Sequence, residues 1–320
     1  MKIGIDIGGT HVGVGLISRN NPEEILLIKE RHIYREDKET EEKALNTIKS
    51  AIIEGIEYIL RIKKISLNDI DTIGVGMPGK TTDYDVRDAK NLNISYFPIL
   101  EFINDFLNKE KEENRLNKDK EIKILIKNDN EAAALCEKQF GALKNYQDCV
   151  FLGLGTGIGS AVFMNDKLLI PKKARGFELG HMTIVVDGIP CACSKFGCFE
   201  KYCSMSSLLN RISDDLEKHG IRFDGHDPEF FDKHYDLLKY DIDEFVRYLA
   251  IGLMNITDIF EPQAICFGGG FSNYKDGIIF RKLYELLETT PKFSSNIPEI
   301  VVSKHMNDAG IIGSVLDRSK

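Results

Sequence analysis

The sequence predicts an α/β protein made of two similar domains, and three observations carry that reading. Short β-branched and apolar runs alternate with stretches of helical periodicity. A unit of strand, glycine turn and strand at residues 3–17 returns at 150–164, 147 positions later, and a repeated supersecondary unit points to a duplicated domain. The 320 residues suffice for about two domains of roughly 100–200 residues each.

Residues 2–17 read as two strands around Asp6-Ile7-Gly8-Gly9-Thr10, with the Gly pair marking a hairpin. Residues 39–62 place Ala44, Ile48, Ile52, Ile56 and Ile59 on one helical face. Thr72 to Met77 is a strand stopped by Pro78-Gly79, and the Asp- and Asn-rich residues 80–93 read as a loop. Residues 99–121 form a charged amphipathic helical region ending in a Lys/Glu-rich stretch. That stretch sets the expected boundary, with 1–121 and 307–320 in one domain and 122–306 in the other. Ile122–Ile126 is the next strand, and Asn130–Phe140 a helix around an Ala-Ala-Ala run. Beyond the second hairpin, residues 242–260 align Phe245, Leu249, Leu253, Ile256 and Phe260 as a helical stripe. The strand Ala264–Phe267 runs into Gly268-Gly269-Gly270, and Ala309–Leu316 is an apolar helix expected to pack back on the first domain.

Composition excludes several classes. Lys and Arg total 42 against 50 Asp and Glu, a net charge of −8 with no Trp, which is no footprint for nucleic acid. No run reaches the roughly 18 apolar residues of a membrane span. Asp6 and the Gly pair interrupt the N-terminal apolar stretch, unlike a signal peptide. A cytoplasmic location is therefore expected, with the seven Cys as thiols or metal ligands.

Gly74 to Thr81, GVGMPGKT, satisfies both G-x-x-x-x-G-K-T and G-x-G-x-x-G. Both phosphate-binding mechanisms need a helix to begin directly after the glycines. Pro78 and the acid-rich TTDYDVRDAKNLN that follow argue against one. The remaining glycine clusters make a better site for a polyphosphate such as ATP. Without a Cβ, backbone amides in Gly8-Gly9-Thr10 and Gly155-Thr156-Gly157 can approach phosphate oxygens closely, from opposite sides. Gly268-Gly269-Gly270 would let a nucleotide lie against backbone, and Asp6 could hold Mg²⁺.

His181, Cys191, Cys193 and Cys198 supply four ligands of the types structural zinc prefers, in a C-x-C-x4-C spacing. Cys203 could replace one of them, while Cys136, Cys149 and Cys266 lie in apolar contexts and read as packing residues. A metal knot there would hold Glu178 and Glu200 together for sugar hydroxyls. Asn128-Asp129 follows a strand, where functional groups of open α/β sheets gather. Asp129 could take a proton from a hydroxyl, or the pair could simply cap the following helix.

Together these residues resemble the ROK family of repressors, open reading frames and kinases, within the actin-like sugar kinase superfamily. The resemblance rests on DIGGT at 6–10, MPG at 77–79, NL at 91–92, ND at 128–129 followed by AAAL, and GLGTGIG at 153–159. It continues through ELGH at 178–181, CACSKFGCFE at 191–200, GGG at 268–270 and DAGIIGSVL at 308–316. It implies two actin-like, ribonuclease H-like lobes with ATP and sugar in the cleft between them, and a homodimer. It implies an ATP-dependent hexose kinase with Asp129 as general base toward the sugar 6-hydroxyl. Asn128, Glu178, His181 and Glu200, with backbone near Gly79, would bind the sugar, and His181 would both ligate zinc and face it. Glucose or allose is the expected substrate, the stretch GTGIGSAVFMND, CAC and Cys203-Ser204 leaning toward allose kinases; N-acetylated hexosamine or fructose is the alternative. A sugar-responsive repressor, or a catalytically silent sensor, is the competing class. Repressors of the family carry a helix-turn-helix before the D-x-G-G-T turn, which here begins at residue 6. Three departures stand out: Glu131 where relatives usually have Asn, Phe177 where Gly is common, and Ser194 in place of a usual Gly.

Overall fold

The computed structural model describes residues 1–33, 40–171, 176–290 and 296–318. The chain divides into two compact units. The first comprises Met1–Gly141, Ile170–Gly176 and Asn307–Lys320, and the second Ala142–Leu169 and Phe177–Met306.

In the first unit β1 (Lys2–Ile7), β2 (His11–Ile17) and β3 (Ile25–His32) form an antiparallel meander. The helix α1 (Glu41–Lys63) starts at Thr40, whose side chain accepts from the Lys43 amide, and ends on Lys64 in the left-handed region. Glu41 and Glu42 lie in its first turn and Arg61 and Lys63 in its last, as the helix dipole favours. The expected stripe from Ala44 to Ile59 is buried; residue 39, where the helix was expected to begin, lies outside the described residues. β4 (Thr72–Met77) runs parallel to β1.

Residues 80–93, expected as a loop, instead supply most of a small antiparallel sheet. It contains β5 (Lys80–Thr81), β6 (Val86–Ala89) and β7 (Ile94–Phe97). Val86 and Ala89, and likewise Ile94 and Phe97, are buried at the two ends of their strands with exposed Arg87 and Asp88, and Ser95 and Tyr96, between them, so these strands lack the two-residue alternation that marks a half-buried strand. After α2 (Ile99–Glu112), β8 (Lys123–Asn128) pairs in parallel with β4 and leads into α3 (Asp129–Gln139). The 121/122 boundary therefore moves: β8 completes the first sheet, and the division falls after Gly141. The Lys/Glu-rich stretch is a surface turn within one unit.

The second unit opens with β9 (Cys149–Leu154), β10 (Ile158–Met164) and β11 (Lys167–Leu168). Helices α4 (Glu200–Cys203), α5 (Met205–Lys218), α6 (Phe230–Lys233) and α7 (Tyr235–Phe260) precede β12 (Ala264–Gly268), α8 (Ile278–Thr289) and β13 (Glu299–Val302). Its sheet order, β11-β10-β9-β12-β13, reproduces β3-β2-β1-β4-β8 of the first unit. Each has an antiparallel meander followed by two parallel strands. The 147-residue offset holds for both ends of β1 against β9 and of β2 against β10. The pairing does not copy fully: Ile7 faces Val12, whereas Leu154 faces Ile158, so the second turn is one residue tighter.

The chain then returns to the first unit with α9 (Ala309–Ser314), as expected. Helix and sheet touch through backbone. A Cβ at Gly4 would stand 2.2 Å from the Ile311 carbonyl oxygen, and one at Gly74 would stand 2.3 Å from that of Ser314. Gly74 thus serves close packing inside a strand, and β5, not a helix, follows Gly79; the phosphate-loop patterns at 74–81 are coincidental.

Candidate active site

In the first unit the predicted groups converge on one end of the sheet, the carboxyl ends of its parallel strands, where open α/β sheets place ligands. Asp6 stands opposite Gly76 across β1 and β4, and Met77 opposite Asn128 across β4 and β8. Asn128 is the N-cap of α3, accepting from the amides of Asn130 at 3.0 Å and Glu131 at 3.4 Å. Its side-chain amide donates to the Gly79 carbonyl oxygen at 3.2 Å. Gly79 takes φ 113°, and a Cβ there would press on the Arg87 carbonyl at 2.8 Å, so the position admits no side chain.

The capping reading and the functional reading divide between neighbours. Asn128 caps, and Asp129 begins the helix with its carboxylate turned back on Asn130, whose backbone and side-chain amides donate to Oδ1 at 2.9 and 3.0 Å. Burial raises the Asp129 carboxyl above the ordinary range, against those hydrogen bonds. Asp6 is pushed up to about 7, by burial first and then by the charges of Asp129 and Glu30.

The Asp6 carboxylate lies against Gly310, where a Cβ would stand 2.6 Å from Asp6 Cγ. Asp6 Oδ2 also lies 3.9 Å from His11 Nε2, and its carboxylate is a hard oxygen donor of the kind Mg²⁺ takes. The adjoining turn is open at its tip: a Cβ on Gly9 would meet nothing within 4 Å. The Gly8 amide is spent closing that turn onto the His11 carbonyl at 2.9 Å, which leaves Gly9 and Thr10 to present amides.

The second unit repeats this logic. The Gly155 amide closes its turn onto the Gly157 carbonyl at 3.0 Å, and Gly155 is as open as Gly9. Gly268 pairs with Gly153, and Gly269 lies against Leu154, so both glycine turns share one sheet end. A Cβ on Gly270 would meet nothing within 4 Å. Thr156 sits between the two glycines of its turn, and Glu200 reaches the same place, its Oε2 2.8 Å from where a Gly157 Cβ would stand.

The ligand atoms of His181, Cys191, Cys193 and Cys198 lie within 4.8 Å of one another. Cys193 and Cys198 sulfurs are 3.5 Å apart, and Cys191 Sγ is 3.6 Å from His181 Nδ1. A tetrahedral zinc with Zn–S of about 2.3 Å spaces its ligands roughly 3.8 Å apart, so the cage fits the ion. A tight knuckle builds it, the Cys191 amide reaching the Lys195 carbonyl at 2.9 Å and the Ser194 amide the Cys191 carbonyl at 3.0 Å. Burial pushes the Cys191 thiol up to about 12, a cost that a bound dication would reverse.

His181 turns Nδ1 toward this cage and Nε2 toward Glu178, 3.7 Å away, the two-sided arrangement that the expected double role would need. Glu200 is drawn in as well, its Oε1 3.1 Å from Cys191 Sγ and 3.5 Å from His181 Nδ1. Cys203 stands apart from this cluster, its sulfur facing the Phe245 carbonyl at 3.8 Å. Cys136, Cys149 and Cys266 are buried packing residues, as expected.

The three departures find physical accounts. Ser194 takes φ 70°, which explains why glycine is usual there. Phe177 packs its ring edge-on against Phe260 of α7 at 5.7 Å. Glu131 is paired with Arg318. Two residues escaped the sequence reading. Asn130 holds the Asp129 carboxylate, and its amide beside a candidate base was the available signal. Gly310 packs against the Asp6 carboxylate, and only the α9 packing reveals that. A separate concavity of about 390 Å³, lined by Arg31, Thr40, Glu42, Lys43, Asn46, Thr47 and Ser50, contains none of the site residues.

A duplicated sheet of this order, with acids and glycine turns at the strand ends, defines an actin-like α/β protein. The ROK family model matches residues 2–316, and the chain belongs to the ROK family. It is 25% identical over 331 residues to a glucokinase of Streptomyces coelicolor, covering 98% of this chain and 96% of that one. It is 29% identical over 268 residues to a xylose repressor of Bacillus spizizenii, covering 82% of this chain and 62% of that one. Among solved structures, a ROK family glucokinase from Streptomyces griseus in complex with glucose and AMPPNP matches with a TM-score of 0.76. The two are 22% identical, over 98% of this chain and 97% of that one.

Proposed function

We propose that this chain is an ATP-dependent sugar kinase that transfers the γ-phosphate of ATP to the 6-hydroxyl of a hexose. The observation that carries the reading is the setting of Asp129: half-buried at a strand end, hydrogen-bonded by Asn130, and raised above the ordinary carboxylate range by desolvation, which makes it a better proton acceptor. Asp129 takes the proton of the sugar hydroxyl as its oxygen attacks the γ-phosphorus and ADP departs. The glucokinase relatives, and the glucose–AMPPNP complex of the Streptomyces griseus protein, support a hexose and ATP as substrates.

Asn128, Glu178, His181, Glu200 and backbone at Gly79 bind the sugar in this reading. Gly8, Gly9, Thr10, Gly155, Thr156, Gly157 and Gly268, Gly269, Gly270 shape the turns that receive the nucleotide. In an acidic protein the phosphate charge must be met by amides rather than by a basic patch. Mg²⁺, held by Asp6, would supply the charge neutralisation that phosphoryl transfer requires. Zinc bound by His181, Cys191, Cys193 and Cys198 is structural, since four protein ligands close its coordination. Glucose or allose is the favoured hexose, and assembly as a homodimer rests on the family resemblance. Among the described residues no helix is long and apolar enough to cross a membrane.

An ADP-release assay across glucose, allose, mannose, fructose, N-acetylglucosamine and N-acetylmannosamine tests the proposal. Turnover on one or more hexoses supports it. The second reading, a sugar-responsive regulator, draws on the xylose repressor relative. Sugar binding by calorimetry with no turnover on any of the six would favour it.

A further inference from the structure

Arg318 lies four residues beyond α9, yet its contacts converge on the junction of β8 and α3. Its Nε and Nη2 meet the two oxygens of Glu131, the Nη2 contact at 3.2 Å. Nη2 also donates to the Ile126 carbonyl at 3.1 Å, and Nη1 to Asp83 at 2.8 Å. Glu131 lies in the first turn of α3, Ile126 near the end of β8, and Asp83 in the turn between β5 and β6. One guanidinium thereby ties three segments that surround Asn128 and Asp129. Neighbouring contacts run the same way. Buried Lys127 donates to the Ser314 carbonyl at 2.7 Å, and Lys123 pairs with Asp317.

The charges make the tie matter. Glu131 stands two residues from Asp129 in one helical turn, and Asp6 faces Asp129 from β1. The side chains of Glu131 and Arg318 are only 16% and 25% exposed, so water screens Glu131 poorly. A planar guanidinium that engages both carboxylate oxygens fixes their direction as well as their charge, which a point-charge ammonium cannot do.

We infer that Arg318 is a positioning residue for Asp129: by clamping Glu131 it fixes the first turn of α3 and cancels a carboxylate charge beside the base. The inference rests on the reading of Asp129 as general base. A purely structural ion pair would lower the melting temperature when broken and leave the rate of the folded enzyme alone.

The test is steady-state kinetics of wild type, Arg318→Ala, Arg318→Lys, Glu131→Gln and the double variant Arg318→Ala/Glu131→Gln, with melting temperatures for each. Misaiming the base in Arg318→Ala lowers kcat by about 10- to 100-fold while the KM for sugar and ATP stays within about threefold. Removing the uncompensated charge in the double variant recovers part of that loss, and Arg318→Lys falls between wild type and Arg318→Ala. Wild-type kcat in folded Arg318→Ala overturns the inference alone. Equal losses in the single and double variants, tracking a drop in melting temperature, also overturn it. No turnover by wild type on any hexose removes the kinase reading, and this inference with it.

Discussion

Lys127 is 1% exposed and donates to the Ser314 carbonyl at 2.7 Å, joining the strand that carries Asn128 to the end of α9. Burial depresses its pKa from 10.5 to about 7, and the Arg318 charge adds to that while Glu131 opposes it. Below pH 7 both folded and unfolded chains carry this charge, and the folded state bears the full desolvation penalty. Between pH 7 and 10.5 only the unfolded chain holds the proton, so this group's contribution to stability rises with pH.

The expected gain at this one site between pH 7 and pH 10 is on the order of 4 kcal/mol. Urea unfolding of wild type and Lys127→Met at pH 7 and pH 10 measures it. Wild type should close much of its deficit against the variant at the higher pH, and identical pH dependence in the two proteins would refute the assignment.

Asp129→Asn removes the proposed proton acceptor while keeping shape and an oxygen for the Asn130 contacts. A lost general base typically costs about 10²- to 10⁴-fold in rate, so kcat should fall in that range while calorimetric sugar affinity stays within a few-fold of wild type. Near-normal turnover would mean that another group accepts the proton.

The cysteine cage predicts about one zinc per chain, since its four ligands close a single coordination shell. Cys193→Ser should release the metal and lower the melting temperature, as elemental analysis and calorimetry of the same samples would record. A wild-type protein free of zinc but equally stable would remove the metal from the site.

Two glycines should behave oppositely. Gly74→Ala forces a methyl toward the Ser314 carbonyl and should cost about 1–3 kcal/mol or more as overpacking. Gly9→Ala meets nothing within 4 Å and should leave denaturant stability within about 0.5 kcal/mol, while raising the KM for ATP. Equal destabilisation by both would mean that α9 does not rest on the glycine floor.

Local patterns read correctly wherever one residue type had one physical reason to be there. The stripe of α1, the DIGGT hairpin and the tight Cys-x-Cys-x4-Cys knuckle are of that kind. Residues 80–93 hid their two short strands among Asp and Asn, which favour turns in isolation, though exposed Arg87 and Asp88 sit within a strand between buried Val86 and Ala89. Asp129's companions were partly legible. Asn130 adjoins it in sequence, whereas Gly310 and Arg318 reach the site from about 180 residues away, a proximity that only the packing of α9 creates.

The late arrival of α9 sets a schedule for synthesis. The glycine floor formed by Gly4 and Gly74 has no cover until residues 309–314 emerge, after the whole second unit has been made. A nascent chain should thus complete its second sheet first and hold the first in a half-covered state, with Ile3, Ile5, Ile73 and Val75 already paired in strands. The segment that seals the first sheet also brings Lys127's acceptor and Arg318, so Asp129 would reach its final setting only after those residues have emerged.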